Sequence, residues 1–220
     1  MDTFLYIFYA IAYVVILIWS LRATPSRFRW SLRSFVHLVI MGLIFDNAVI
    51  ASGKFIGEGD FLAFLHEMRY WFHAFITPTL VLYALGLLRL TNEKWRRSRL
   101  ALSSFLLITA GLIIYEIQTG ILNKTLEPVW KYGVLRYYTV ASSSGPPIMI
   151  LLVMAVLLVT SILLWKLTKW PWMFGALCII LVLNMIPFDF ASSAVTNGFE
   201  LLLMLLLVVT KRHYEKISFE

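Results

Sequence analysis

The sequence predicts an all-helical (all-α) membrane protein, a bundle of seven transmembrane helices, and three observations carry that reading. Of the 220 residues, 60% are hydrophobic and only 14% charged, against roughly 25% charged in ordinary soluble domains. Mean hydropathy is +0.83. Apolar runs recur along the whole chain at close to the length of about 20 residues that a helix needs to cross the hydrocarbon layer. They fall at 4–21, 34–51, 70–88, 100–118, 148–165, 172–188 and 195–210, and together make residues 1–220 one integral membrane domain.

The first run is expected to stay in the protein as a span, because Met1-Asp2-Thr3 lacks a basic region and Arg22 follows without a small-residue cleavage site. An arginine-rich link leads to the second run, and a glycine-rich loop over 52–60 leads out of it. Asp60 is placed to cap a helix starting at Phe61, which makes the third helix longer than its crossing. After the fourth run comes the longest connection, the extracytoplasmic loop 119–147. Its Trp130, Tyr132, Tyr137 and Tyr138 suit the headgroup region, so it reads as a lid over the outer mouth. The sixth and seventh runs are short and are expected to be tilted or broken. The tail after Thr210 is too short for a soluble domain. No internal repeat is visible, which weighs against an inverted-repeat transporter. The single cysteine, Cys178, lies in an apolar run, where it forms no intrachain disulfide and reads as a small buried residue.

Charge sets the expected orientation. Fourteen of the nineteen Lys and Arg fall in alternate connections and the tail, while Lys54, Arg69, Lys124, Lys131 and Arg136 fall on the other side. By the positive-inside bias the N-terminus is outside and the C-terminus cytoplasmic. The net charge of +7 is therefore spent on topology rather than on nucleic acid. The expected location is the cytoplasmic (plasma) membrane, with multiple passes and the lipid bilayer as the immediate partner.

The unusual chemistry collects toward the outer leaflet. At the head of the third run, His66-Glu67-Met68-Arg69-Tyr70-Trp71-Phe72-His73 sets four ionisable groups against an apolar segment. On a helix, His66, Arg69, Tyr70, His73 and Thr77 follow a spacing of three or four and share one stripe, with Glu67 one step round. Asp46 and Asn47 end the second run. Tyr115, Glu116 and Gln118 end the fourth, Asn184, Pro187 and Asp189 the sixth, and Ser193, Asn197 and Glu200 begin the seventh. The inner halves of the runs read as almost purely apolar. Charges inside the membrane face partners or wet cavities, so this layer reads as a polar cavity open to the outside, against the simpler reading of helix-end residues meeting the interface. Arg69 keeps its proton and needs a carboxylate, for which Glu67, Asp46, Glu116, Asp189 and Glu200 are available. His37 stands apart near the cytoplasmic end.

His73 and His66 are the expected acid/base groups, oriented by Asp46 or Glu116, with His73 the deeper and more committed of the two and His66 nearer water. Arg69, Glu67, Tyr70, Asn47, Asp189, Asn197 and Glu200 are the expected binding residues. A metal is left open: His66, His73 and Asp46 are ligand types that zinc uses, but histidines seven apart stand roughly 10 Å apart along a helix axis, whereas a shared ion is held from positions three or four apart. No cofactor is named by the sequence. A retinal lysine within the last span, facing histidines for haem, and the Gly-x-Ser-x-Gly, His-Glu-x-x-His and P-loop patterns are all lacking. Two functions fit: an intramembrane enzyme acting on a lipid or isoprenoid substrate at the outer leaflet, or a small transporter or ligand sensor that uses the same groups for solute or protons.

Overall fold

Apolar backbone removed from water must close its hydrogen bonds within the segment, and here the chain does so as helices. The computed structural model describes residues 2–24, 31–122, 125–139, 148–185 and 192–217. In order these form α1 (Asp2–Ala23), a 3₁₀ turn (Leu32–Ser34), α2 (Phe35–Ile56), α3 (Asp60–Ile76), α4 (Leu80–Thr91) and the short α5 (Glu93–Arg97). There follow α6 (Arg99–Glu116), a hairpin of β1 (Leu126–Lys131) and β2 (Val134–Thr139), α7 (Ile148–Thr168), α8 (Trp172–Met185) and α9 (Val195–Ile217). Among the described residues, five helical stretches are long and apolar enough to cross a membrane: Asp2–Ala23, Leu32–Ile56, Asp60–Thr91, Arg99–Ile121 and Ile148–Thr168. Of the two runs expected to be short, α8 is a short apolar helix, while α9 continues through the expected tail to Ile217.

Helix ends are tied at two levels. At one level Thr3 Oγ1 donates to Gly133 O (2.8 Å), Tyr6 Oη to Ser193 O (3.0 Å), and Asp2 accepts from Ser193 N (2.7 Å). This joins the start of α1, the hairpin turn and the approach to α9. At the opposite level Ser20 meets His37 (2.8 Å) and Arg33 meets Glu215 (3.1 Å), which joins the end of α1, the start of α2 and the end of α9. Between the two levels lies one large apolar core to which α1, α2, α4, α6, α7, α8 and α9 contribute. α4 is its most buried helix, with every residue from Leu80 to Leu88 inside.

Four expectations change. The loop 119–147 is not merely an aromatic lid: within it β1 and β2 pair antiparallel, Trp130 opposite Leu135 and Lys131 opposite Val134. The two turn residues, Tyr132 and Gly133, both have positive φ (52° and 83°), as a hairpin turn that follows the strand twist requires. The all-helical class therefore holds except for this hairpin. The third run is not one straight helix, because Pro78 lacks an N–H and its ring opposes the preceding turn, so a 3₁₀ turn at Thr77–Thr79 separates α3 from α4. Asp60 is the first helical residue rather than the cap, a place taken by Gly59. Lastly, Arg33, Lys211 and Glu215, expected in a connection and the tail, are buried.

Candidate functional site

α2 and α3 deliver the core of the site because each carries its polar residues on the face it turns to the other. Arg69 Nε and Nη2 both lie 2.8 Å from Asp46 Oδ1. Of the acids available to Arg69 in sequence, Asp46 is thus the one it takes. Arg69 Nη1 also lies 2.6 Å from His66 Nδ1. A guanidinium only donates, so Nδ1 accepts and the His66 proton sits on Nε2. That nitrogen is buried without a hydrogen-bond partner among the described residues.

His66 corrects the sequence reading most sharply. Expected near water, it is fully buried, because the hairpin covers it: the Tyr137 ring lies 5.9 Å from its imidazole, and Leu62, Leu135 and Tyr137 form a small apolar cluster alongside. The hairpin is held there by Tyr137 Oη, which accepts from Gly59 N (3.0 Å), and by Trp130 Nε1, which donates to Glu58 (2.9 Å). Tyr70 Oη reaches Tyr137 O at 3.4 Å.

His73, two turns further along α3, is half-buried. Its Nδ1 lies 3.2 Å from Thr77 Oγ1, and Asp46 and Glu116 stand within electrostatic reach. With Asp46, Arg69, Phe72, Ile76 and Thr77 it lines a cavity of about 30 Å³, room for a water or two. Where the sequence predicts a polar cavity, these polar residues line a small niche whose other walls, Val39, Leu43, Phe72 and Ile76, are apolar.

The other expected residues divide. Asn47 is fully buried: its amide donates to Leu43 O (2.8 Å) and its Oδ1 accepts from Asn197 Nδ2 (3.2 Å), which ties α2 to α9. Glu200, half-buried on α9, has neither a hydrogen bond nor an ion pair among the described residues, yet lies within electrostatic reach of Asp46 and Arg69. Glu116 lies at the end of α6 against the π-helical turn Ile117–Ile121, with its carboxylate over Gly120. Glu67 is exposed and, among the described residues, meets only Trp71 Nε1, at 3.5 Å. Asp189 falls outside the described residues, as does Pro187. Among the described residues no three His, Cys, Asp or Glu converge as metal ligands.

Two residues of this layer escaped the sequence reading. Tyr13 of α1 is fully buried with an unpartnered hydroxyl, within reach of the charges of Glu200 and Asp46. The spacing of Tyr6, Tyr9 and Tyr13 along one face of the first span was the available signal. Arg136, in β2, donates to Tyr6 Oη at 3.2 Å; without the hairpin nothing placed it. No protein-family model, curated protein or solved structure matches the chain.

Proposed function

We propose that this is a multi-pass protein of the cytoplasmic membrane with seven crossings, its N-terminus outside and its C-terminus in the cytoplasm. The polar layer at its outer end is the working site of an intramembrane enzyme acting on a lipid or isoprenoid substrate of the outer leaflet. The crossings and orientation are supported by the two levels of helix-end contacts and by the fourteen cations gathered in alternate connections and the tail. The site's chemistry rests on one observation: His73 shares a niche with the fixed Arg69–Asp46 pair while Thr77 engages its Nδ1. Its Nε2 is then the nitrogen available to exchange a proton with a substrate. Arg69, already aligned, is the group for an anionic headgroup, which a guanidinium binds through paired N–H donors.

The niche volume of about 30 Å³ favours a second reading, since a space for a water or two suits proton or small-ligand binding without any movement of Phe72 or Ile76. Purified protein in vesicles of a total polar lipid extract separates the two. The enzyme reading expects new lipid species by mass spectrometry, lost in His73→Ala and reduced less in His66→Ala. Unchanged lipids, together with a proton leak that His73→Ala abolishes, would replace it with the second.

A further inference from the structure

The opposite end of the bundle buries Arg33, Lys211 and Glu215 side by side. Arg33 Nε donates to Glu215 Oε1 at 3.1 Å, and Lys211 Nζ lies 3.3 Å from Glu215 Oε2 and 2.5 Å from Thr24 Oγ1, with all three charged residues nearly closed to solvent. Glu215 thus bridges two buried cations. Of the chain's twelve acids, only Glu93, Glu215 and Glu220 belong to this side of the sequence, against fourteen Lys and Arg. Glu93 is engaged by Arg96 and Arg97 on α5.

Beside this cluster runs a groove of about 940 Å³ between the end of α1, the start of α2 and the end of α4. Gly86 of α4 lets Arg33 pack directly against that helix, since a Cβ there would stand 2.8 Å from Arg33 N and Cγ. Leu21, Phe35, Leu38 and Met41 make an apolar wall, with Leu21 45% and Met41 48% exposed on the sides of their helices. Arg33 and Arg89 stand at one end. Arg89 Nε is buried without a hydrogen-bond partner among the described residues, and its Nη2 reaches Ser98 O only at 3.5 Å. The groove is apolar along its length and cationic at its head.

We infer that this groove holds an anionic phospholipid, its headgroup phosphate on Arg33 and Arg89 and an acyl chain along Leu38 and Met41. The charge at the head matches a phosphate, for which guanidinium is the preferred donor. The apolar wall on exposed helix sides matches a chain arriving from the bilayer rather than a soluble anion. Basic pockets between membrane helices are where anionic headgroups lodge. The inference rests on the bundle lying in a bilayer, and is independent of the chemistry at the outer end.

The test uses the full chain in detergent, with phosphatidylglycerol, phosphatidylcholine of the same chains, or inorganic phosphate added, read by native mass spectrometry and thermal unfolding. Phosphatidylglycerol should be retained and raise the unfolding temperature, phosphatidylcholine much less, and phosphate alone not at all. Arg89→Gln should weaken retention about fivefold, the effect of about one interfacial charge. Met41→Trp, which fills the apolar arm and leaves the ion cluster intact, should weaken it too. A photoreactive acyl chain should label peptides spanning 31–41. Equal retention of both lipids, retention unchanged in both variants, labelling elsewhere only, or equal stabilisation by inorganic phosphate would each overturn the inference.

Discussion

Arg69 holds together groups that cannot otherwise coexist in an apolar setting. It neutralises Asp46, fixes the tautomer of His66, and stands beside His73. Replacing it with Met leaves Asp46 without its counter-charge, and breaking one side of such a pair costs roughly 3–5 kcal/mol. Thermal and denaturant unfolding of Arg69→Met in detergent should register a loss of that order; stability equal to the parent would show that the pair is open to water. Glu200 should behave oppositely. It has no partner among the described residues and stands near Asp46, another acid, so Glu200→Gln removes a charge without orphaning one. Stability should be unchanged or raised by about 1 kcal/mol, and a marked loss would reveal a cation bound there. At this scale the sequence was legible where spacing spoke: a helix stripe of His66, Arg69, His73 and Thr77 needs only the period of 3.6. Which acid Arg69 takes was not legible, because the choice among Asp46, Glu67, Glu116 and Glu200 depends on helix rotation and approach. The burial of His66 was misread for want of the strand that covers it.

The hairpin is the element that turns a row of helix-end residues into an enclosed layer. Its turn meets Thr3, Arg136 meets Tyr6, and Tyr137 packs on His66 and bonds to Gly59. It lies so close to α2 that a Cβ at Gly53 would collide with the carbonyl oxygen of Leu135. Gly53→Ala should therefore displace β2 while sparing the helices, at a cost of about 1–3 kcal/mol. Limited proteolysis should cut faster within 126–139 than in the parent, and identical cleavage would mean that the hairpin is not seated on α2. The helices were legible because length and apolarity are local properties. The hairpin was not, since Tyr-Gly in place of Asn-Gly or Asp-Gly hides the turn and its interfacial aromatics suit a loop equally well. Pro78 was the available signal for the break between α3 and α4, but the run 70–88 was read as continuous.

For the whole molecule, charge and packing give the same division into two ends. One end gathers Asp46, Arg69, Glu200 and the hairpin; the other gathers Arg33, Lys211, Glu215 and the cationic connections, with the large apolar core between them. The second ionic layer escaped the sequence reading because Arg33, Lys211 and Glu215 sit at run ends, where charges ordinarily meet water, and only the extension of α9 past Thr210 draws them inward. We propose that the Asp46–Arg69–His73 layer lies on the outer side of a seven-crossing bundle. Site-directed labelling tests it most directly: Cys178→Ala removes the native thiol, and single cysteines are then placed at Lys131 in the hairpin, Lys94 between α4 and α6, and Lys216 at the end of α9. In intact cells a membrane-impermeant maleimide should label Lys131→Cys alone, with Lys94→Cys and Lys216→Cys labelled only after permeabilisation. Labelling of Lys94→Cys from outside, with Lys131→Cys protected, would place that layer on the cytoplasmic side and overturn the proposal.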